Sequence, residues 1–405
     1  MFDATLPSQQ RKIRPDGLLL FGLLALMVLG AAFIYSARAA HEASALIAWH
    51  KQLHFRQIIW YGIGTLAAII VCLKDYRTLA RWSLVFYWAT TLLLVAVIIP
   101  GIGAMRYGAR RWIDLGFFQL QPSELAKLAV ILALAQFLSR PQEELREPRT
   151  LLKAFGLIAL PFLLVLKEPD LGSALMLAAP GLAMFYVGGV PPRFLKRLIG
   201  GGAIFALLLV ASVLFAPPKW QVLKLEDYQK RRLLVYFGMN YAPANATPAE
   251  RSRALADQRR DSYNVEQAMI SVGSGGLTGK GWRQGTQNAL GYLPRGVAHN
   301  DFIFSVMAEE SGFVGSLIVL ALYATVLFVG IRIASQTRDR LGKLLAVGVV
   351  TLLFSHVFVN IGMNIRLVPV TGVPLPLLSY GGSSVICSLV AAGLLQNVHL
   401  HQKSI

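Results

Sequence analysis

The chain has 405 residues, 55% of them hydrophobic and 15% charged, and its 39 Lys and Arg against 21 Asp and Glu give a formal net charge of +18. Soluble domains average nearer 45–50% apolar and about 25% charged residues. The composition therefore excludes a disordered chain and argues against a soluble enzyme, which would expose extended apolar patches. The positive charge would suit nucleic acid, but an apolar content this high argues against a nucleic-acid partner.

Apolar runs long enough to cross a membrane follow one another along the chain. A helix needs about 17–25 apolar residues to cross about 30 Å of hydrocarbon. Ten runs have this character: 17–37, 56–73, 82–100, 122–138, 151–166, 171–189, 198–216, 301–331, 344–364 and 375–398. The predicted fold is an all-α polytopic membrane protein with about ten transmembrane helices. It forms a single integral-membrane domain over 1–405, with one long outer loop, 217–300, between spans seven and eight.

The distribution of Lys and Arg predicts the orientation. If both termini are cytoplasmic, the cytoplasmic segments carry about 18 positive residues and the short outer loops fewer than half as many. This satisfies the rule that cytoplasmic loops are enriched in Lys and Arg. Arg106, Arg110 and Arg111 are an exception in a short outer loop, which suggests that they bind an anion.

Charged residues near the start of two spans are candidate site residues, because charges within a span are costly. Gln121-Pro122-Ser123-Glu124 opens span four, and Lys127 follows Glu124 at a spacing that permits a local ion pair. We expect either that pair alone or a functional site. Asp301 opens span eight, where an N-cap is the alternative to a catalytic role. Lys127 and Asp301 should lie at similar depth.

Further polar residues follow in the last three spans. Glu309 and Glu310 lie two turns into span eight and need partners. His356, Asn360 and Asn364, spaced by four, form a stripe on one face of span nine, for which hydrogen bonding between helices is the favoured interpretation.

A Pro- and Gly-rich break follows span nine, from Arg366 to Pro376, and is continued by Ser379 to Ser384. Irregular backbone at membrane depth is tolerated only where it lines a cavity. Residues 168–172 form a similarly tight acidic turn between spans five and six.

The long outer loop contains three kinds of sequence. Residues 220–237 mix aromatic and basic residues, which suits a helix on the surface of anionic membrane lipids. Residues 241–262 are predicted to be a flexible insertion. Residues 271–281 form a Gly-rich turn region without the Gly-Lys-Ser/Thr ending of a phosphate-binding loop. Cys72 and Cys387 lie in spans, so the loop has no disulfide framework and neither residue has a metal-binding partner set.

Six stretches make the chain resemble the SEDS family (shape, elongation, division and sporulation), whose members include RodA and FtsW. They are GARRWIDLGFFQLQPSELAKLA (108–129), KEPDLGSAL (167–175), DYQKRRLLVYF (227–237), VGSGGLTGKGWRQGTQ (272–287), HNDFIFSVMAEESGFVG (299–315) and the run 366–384. Residues 280–287 are closer to the RodA branch than to the FtsW branch. Two features depart from the family pattern: Arg295 and Asn300 replace the usual Glu and Thr before Asp301, and the 241–262 insertion is additional.

The resemblance implies an enzyme that polymerises lipid II into peptidoglycan glycan strands on the outer face of the bacterial cytoplasmic membrane. It implies a class B penicillin-binding protein as partner, and an elongation role over a septal one. By the family motifs, Asp301 is the catalytic aspartate and Lys127 the motif lysine.

The expected chemistry uses Asp301 as general base on a sugar hydroxyl and Lys127 to stabilise the pyrophosphate. A divalent cation, Mg²⁺ or Mn²⁺, could assist; no other cofactor is expected. The predicted substrate-binding residues are Arg111, Glu124, Glu309, Glu310, Arg366, Ser383 and Ser384. The alternatives are a flippase or secondary transporter for lipid-linked precursors, an FtsW-like septal polymerase, and a structural scaffold.

Overall fold

Helices lie at all ten predicted spans in the computed structural model, which describes residues 14–39, 49, 52–106, 109–116, 118–215, 227–239, 241, 247–293 and 296–402. The helices at the predicted spans are α1 (Gly17–Ala39), α2 (Leu53–Leu73), α4 (Ser83–Ile98), α5 (Pro122–Leu138), α6 (Pro148–Lys167), α7 (Leu171–Val187), α8 (Pro192–Phe215), α12 (Ile303–Gln336), α13 (Arg340–Asn364) and α14 (Gly382–His401). Four shorter or loop helices complete the set: α3 (Tyr76–Arg81), α9 (Asp227–Phe237), α10 (Pro248–Ser274) and α11 (Thr286–Ala289).

The all-α polytopic membrane class is confirmed. Seven of the described helices are long and apolar enough to cross a membrane, and α4 and α7 are shorter apolar helices. Helix α5 has 17 residues and carries Glu124 and Lys127 among its buried side chains. The number of membrane crossings and the cytoplasmic location of both termini stay predictions.

The distribution of polar and apolar side chains is that of a protein surrounded by lipid. Phe21, Leu92 and Leu207 are more than 60% exposed, whereas Lys127, Glu309 and Asn360 are at most 2% exposed. Lipid removes the cost of exposing apolar surface but leaves every buried polar group in need of a partner. Helix α13 lies at the centre of the bundle, where it packs against α5, α7, α12 and α14.

The segment between α4 and α5 contains a small sheet that was not predicted from the sequence. Strands β1 (Gly103–Arg106), β2 (Ala109–Asp114) and β3 (Gln119–Leu120) form an antiparallel sheet in the order β1-β2-β3. Strands this short carry too little alternation of polar and apolar residues to be recognised. The sheet places Arg111 in the middle of β2.

The predicted flexible insertion is wrong for most of its length, because α10 occupies it from Pro248 onward. The Thr247 side chain accepts from the Glu250 backbone N–H, and the Glu250 carboxylate accepts from the Thr247 N–H, which is a capping box. Pro248 occupies the first helical turn, where its missing N–H costs nothing. Residues 242–246 lie outside the described part of the chain.

The other predictions for the long loop have mixed outcomes. The helix predicted over 220–237 is present as α9 from Asp227, and residues 216–226, including Trp220, lie outside the described part. Its location on the lipid surface stays a prediction. The last span begins at Gly382 rather than 375, because the irregular run extends further than expected.

Helix α12 is kinked at Gly312, whose φ of 66° and ψ of −161° are non-helical. The kink releases two backbone N–H groups from the helix. Those of Phe313 and Val314 donate instead to the carbonyls of Gly276 and Leu277, at 2.9 and 3.1 Å. The Gly-rich loop after α10 is therefore joined to the bundle by backbone hydrogen bonds at the kink.

We predict that Gly312→Ala destabilises the fold by about 1–3 kcal/mol or more, because this backbone conformation is essentially restricted to glycine. A Cβ there would also lie 2.3 Å from the Gly279 backbone nitrogen. Gly156→Ala in α6 is the matched control, since a Cβ at Gly156 meets nothing within 4 Å. The control should be neutral or more stable by up to about 1 kcal/mol. Thermal unfolding in detergent measures both; equal melting temperatures for the two variants would contradict the prediction.

Candidate functional site

A cavity of about 1020 Å³ opens between the small sheet, helices α9 and α10, the segment before α12 and the irregular run after α13. We name its charged lining residues as two sets: Arg111, Asp301 and Arg366 are the reaction wall, and Arg231, Arg232, Arg259 and Arg260 are the arginine wall. Aromatic and polar side chains also line the cavity: Trp112, Tyr236, Tyr263, Asn264, Asn300 and Thr371.

Asp301 is held in the cavity through its backbone. Its carbonyl accepts from the side-chain amides of Asn360 and Asn364, at 3.2 and 3.1 Å. The same Asn360 amide donates to the Val373 carbonyl at 2.8 Å, so one side chain fixes Asp301 relative to the irregular run. The predicted hydrogen bonding between helices is confirmed for two residues of the stripe: His356 contacts Lys127 of α5 at 2.9 Å, and Asn364 accepts from Ser305 of α12 at 2.5 Å. Asn360 instead donates to irregular segments.

The N-cap alternative for Asp301 is wrong, because Phe302 occupies the N-cap of α12 and makes no side-chain cap. The Asp301 carboxylate instead forms part of the cavity lining. Burial raises the pKa of Asp301 to about 6, Arg232 and Arg111 oppose the rise, and Asp170 adds to it. A carboxyl with such a pKa is mostly ionised at neutral pH and remains basic enough to accept a proton.

Three arginines of the cavity donate to backbone carbonyls of neighbouring segments. Arg111 donates through Nε to the Glu168 carbonyl at 3.1 Å and through Nη2 to the Pro169 carbonyl. Arg232 donates to the Val370 carbonyl at 3.1 Å, and Arg366 to the Val235 carbonyl at 3.3 Å. A carbonyl satisfies a donor without cancelling its charge, so these contacts position the guanidinium groups and leave the cavity positive.

Lys127 is not among the cavity-lining residues. Its ammonium donates to Glu124 Oε1 at 2.6 Å and to His356 Nε2 at 2.9 Å, and Lys127 is 2% exposed. His356 Nδ1 lies 3.2 Å from the Pro374 carbonyl, which can only accept. The imidazole therefore donates through Nδ1 and accepts through Nε2. The predicted local ion pair with Glu124 is confirmed; the catalytic role of Lys127 stays a prediction.

Glu309 and Glu310 have the partners that their depth requires, but they too lie outside the cavity lining. Glu309 Oε1 accepts from Lys280 Nζ at 2.6 Å, Thr286 Oγ1 at 3.1 Å and the Gln287 N–H at 2.9 Å. Glu310 Oε1 accepts from the Ser36 hydroxyl at 2.5 Å. These contacts attach the Gly-rich loop and α1 to α12, and substrate binding by either carboxylate stays a prediction.

Ser383 and Ser384 open α14 and are buried. The Ser383 hydroxyl donates to the Gln119 carbonyl at 2.9 Å and accepts from the Gln121 N–H at 3.1 Å. It thereby ties the start of α14 to the small sheet and the start of α5. The structure places neither serine in the cavity lining, so their binding role also stays a prediction.

The acidic turn between α6 and α7 contacts the reaction wall through Arg111, which donates to the Glu168 carbonyl. Asp170 caps α7 by accepting from the Ser173 N–H at 3.1 Å. Both carboxyl oxygens of Glu168 are buried without a hydrogen-bond partner in the described part of the chain. Burial, with the nearby Asp170, raises the pKa of Glu168 to about 9, so this carboxyl is neutral at pH 7.

Sequence reasoning missed the arginine wall. Arg231 and Arg232 were assigned to a lipid-facing helix, and Arg259 and Arg260 fall in the predicted flexible insertion. The available signal was the capping box before α10, which would have predicted a helix there.

The described residues contain no group of three His, Cys, Asp or Glu side chains placed to hold a metal ion. Asp301 is the one carboxylate among the described residues of the cavity lining. Mg²⁺ is usually held by one or two carboxylates together with substrate phosphates. The lining therefore fits a cation that is completed by substrate.

Comparisons with known proteins agree with these features. The family model described as cell cycle protein, which covers FtsW, RodA and SpoVE, matches residues 17–404. The peptidoglycan glycosyltransferase MrdB of Escherichia coli (strain K12) is 38% identical over 392 residues, 97% of this chain and 95% of the relative.

Two solved structures extend the match to the fold. A chain of a structure described as "Structural coordination of polymerization and crosslinking by a peptidoglycan synthase complex" has a TM-score of 0.70 and 30% identity, covering 96% of this chain and 99% of that one. The crystal structure of the Thermus thermophilus rod shape determining protein RodA has a TM-score of 0.65 and 29% identity, covering 98% of this chain and 100% of that one. The chain therefore belongs to the FtsW/RodA/SpoVE family, the SEDS family, and is RodA-like within it.

Proposed function

We propose that the protein is a peptidoglycan glycosyltransferase that polymerises lipid II into glycan strands for cell elongation. The enzyme class is supported by relatives of that name over nearly the full length, and membrane integration by the apolar helices. The single observation that carries the mechanism is a carboxylate with a pKa of about 6, Asp301, in a cavity whose other charged residues, among those described, are arginines.

In the proposed reaction, Asp301 is the general base. It accepts the proton of the acceptor sugar's 4-hydroxyl as that oxygen forms a bond to C1 of the donor sugar. The bond between C1 and the pyrophosphate oxygen breaks, and lipid pyrophosphate leaves. A phosphate leaving group needs no proton, so a single base is sufficient, and one displacement inverts the donor configuration.

Charge that develops on the leaving pyrophosphate is stabilised by Arg111 and Arg366, the arginines of the reaction wall. Their guanidinium groups are held in place by peptide carbonyls before substrate arrives, and such preorganised positive charge stabilises a developing anion. A Mg²⁺ or Mn²⁺ ion bound together with substrate would supply further positive charge there, and Asp301 is the carboxylate of the described cavity lining that would contact it.

Lys127 acts in this proposal as a positioning residue. Its contacts run from Glu124 through His356 to the Pro374 carbonyl, next to the cavity-lining segment 368–372. Loss of the lysine would leave a buried carboxylate and loosen the irregular run. The assignment of Lys127 to the pyrophosphate, implied by family resemblance, is the competing role.

The biological assignments rest on the relatives. We propose that the cavity opens on the outer face of the bacterial inner membrane and that a class B penicillin-binding protein is the partner. A solved structure concerned with polymerisation and crosslinking supports that partnership, and the RodA match supports elongation over septation. Loss of rod shape on depletion, rather than filamentation, would test the elongation role.

Polymerisation of purified lipid II tests the function directly. Wild-type protein, with and without a penicillin-binding partner and with Mg²⁺ or Mn²⁺, should make glycan strands detectable by gel electrophoresis. Asp301→Asn should lower the rate by about 10²–10⁴-fold, the usual contribution of a general base. A normal rate of polymerisation by Asp301→Asn would contradict the assignment of Asp301 as the general base. Wild-type protein that moves lipid II between leaflets but makes no strands would indicate a flippase instead.

The pH dependence should report Asp301 as the base. A base works when it is ionised, so kcat/KM should fall about tenfold per pH unit below the pKa of about 6. Because Arg232 lowers this pKa, Arg232→Gln should move the acid limb to higher pH. Arg253→Gln, which removes an arginine of α10 outside the cavity lining, is the control and should leave the limb in place. If the acid limb of the kcat/KM profile is at the same pH in Arg232→Gln as in wild type, the assignment of Asp301 as the base is contradicted.

A charge-pair experiment separates the two roles of Lys127. Lys127→Met alone should cost about 3–5 kcal/mol of stability, because it leaves the Glu124 carboxylate buried and unpaired. Adding Glu124→Leu removes both charges and should restore most of the melting temperature. A positioning role predicts that polymerisation recovers together with stability in the double variant. A stable double variant with no activity would instead favour direct contact between Lys127 and pyrophosphate.

A further inference from the structure

Arg259 and Arg260 of the arginine wall have one carboxylate close to them in the described part of the chain. Asp257 lies 3.1 Å from Arg260, and it also lies 3.8 Å from Arg231. No carboxylate in the described part of the chain lies within 4 Å of Arg259, and the Arg260 side chain is 71% exposed. Neighbouring like charges repel, so this arrangement is favoured when an anion is bound between them.

The arginines of the cavity come from different elements. Arg111 lies on β2 and donates to the turn between α6 and α7, whereas Arg259 and Arg260 lie on α10. All of them line one cavity with Asp301. The cavity therefore has positive charge on two elements, the small sheet and the exposed part of α10.

The chemistry of polymerisation requires two anion sites, an argument that rests on the proposed function. The donor carries its pyrophosphate on the carbon that is attacked, so that pyrophosphate must lie beside the base. The acceptor carries a second pyrophosphate two sugar rings away from the 4-hydroxyl that reacts. A second cationic group is needed at that distance from Asp301 if the acceptor is to be held by its pyrophosphate.

We propose that Arg259 and Arg260 of α10, with Arg231 of α9, bind the pyrophosphate of the acceptor lipid-linked disaccharide. Arginine suits this ligand because its planar fork donates two parallel hydrogen bonds to phosphate oxygens. Tyr263 and Asn264, one turn further along α10, line the same cavity and would contact the sugar rings. The 241–262 segment thus supplies a substrate subsite rather than a spacer.

The test uses the double variant Arg259→Ala/Arg260→Ala in the full-length protein, assayed with lipid II at varied concentration. KM for lipid II should rise about tenfold or more, the expected loss for charge-assisted contacts, with a smaller change in kcat. Arg259→Lys/Arg260→Lys keeps the charge but loses the planar guanidinium group with its two parallel donors. Its KM for lipid II should therefore lie between those of wild type and the alanine variant. Arg253→Ala, on the same helix but outside the lining, should match wild type. An unchanged KM in the alanine variant overturns the proposal.

Two lipid II analogues separate the acceptor from the donor site. A carbon-linked phosphonate analogue can accept a strand but cannot donate one, and an analogue capped at the 4-hydroxyl can donate but cannot accept. The alanine variant should weaken inhibition by the acceptor-only analogue about tenfold and leave inhibition by the donor-only analogue within about threefold. Equal weakening of both indicates non-specific attraction and overturns the assignment.

Membrane composition separates this ligand from a phospholipid headgroup, which shares its phosphate chemistry. The variants are compared in phosphatidylcholine bilayers with and without phosphatidylglycerol. A loss that persists in both membranes supports the acceptor site, and a loss confined to phosphatidylglycerol membranes overturns it. If wild-type protein makes no glycan strands in any membrane, the proposed function itself is wrong. If wild-type protein is active and the Arg259 and Arg260 variants have an unchanged KM, only this inference is wrong.

Discussion

The polar stripe of α13 is the interaction on which the site depends. His356 and Asn360 donate to carbonyls of the irregular run, and Asn360 and Asn364 share the Asp301 carbonyl. Among apolar helices these backbone groups have no water to bind, so each lost side-chain donor leaves an unsatisfied carbonyl that is costly to bury. The stripe thus holds a Pro- and Gly-rich segment, which forms no regular secondary structure, in a fixed position beside Asp301.

The charged side chains of the bundle and those of the cavity have different kinds of partner. The charges that face the bundle are paired tightly, as Lys127 is with Glu124 at 2.6 Å and Lys280 with Glu309 at 2.6 Å. Three of the arginines that face the cavity, Arg111, Arg232 and Arg366, donate to backbone carbonyls, which position a guanidinium group without cancelling its charge. The first kind of contact holds the helices together, and the second prepares a site for an anion without cancelling its attraction.

The sequence was sufficient for the membrane class and for the positions of the ten helices, because length and hydropathy are local properties. It placed Lys127 and Asp301 at one level but could not show that His356 lies between Lys127 and the cavity wall, a contact between residues 229 positions apart. It missed the small sheet, whose strands are too short for a periodic signal, and the arginine wall. The arginines escaped because composition suggested flexibility for residues that a capping box organises into a helix.

Helix α10 is attached to the bundle mainly near its C-terminal end, where Val265, Ala268 and Ser271 are buried and Lys280 pairs with Glu309 just beyond it. Arg259 and Arg260 lie eight or nine residues before Ala268, the middle of that attachment, which at about 1.5 Å per residue is roughly 13 Å. A tilt of about 5° at the attachment would move the helix at these arginines by roughly 1 Å. Small rearrangements of α12 at its kink would therefore change the position of these guanidinium groups relative to the rest of the cavity lining.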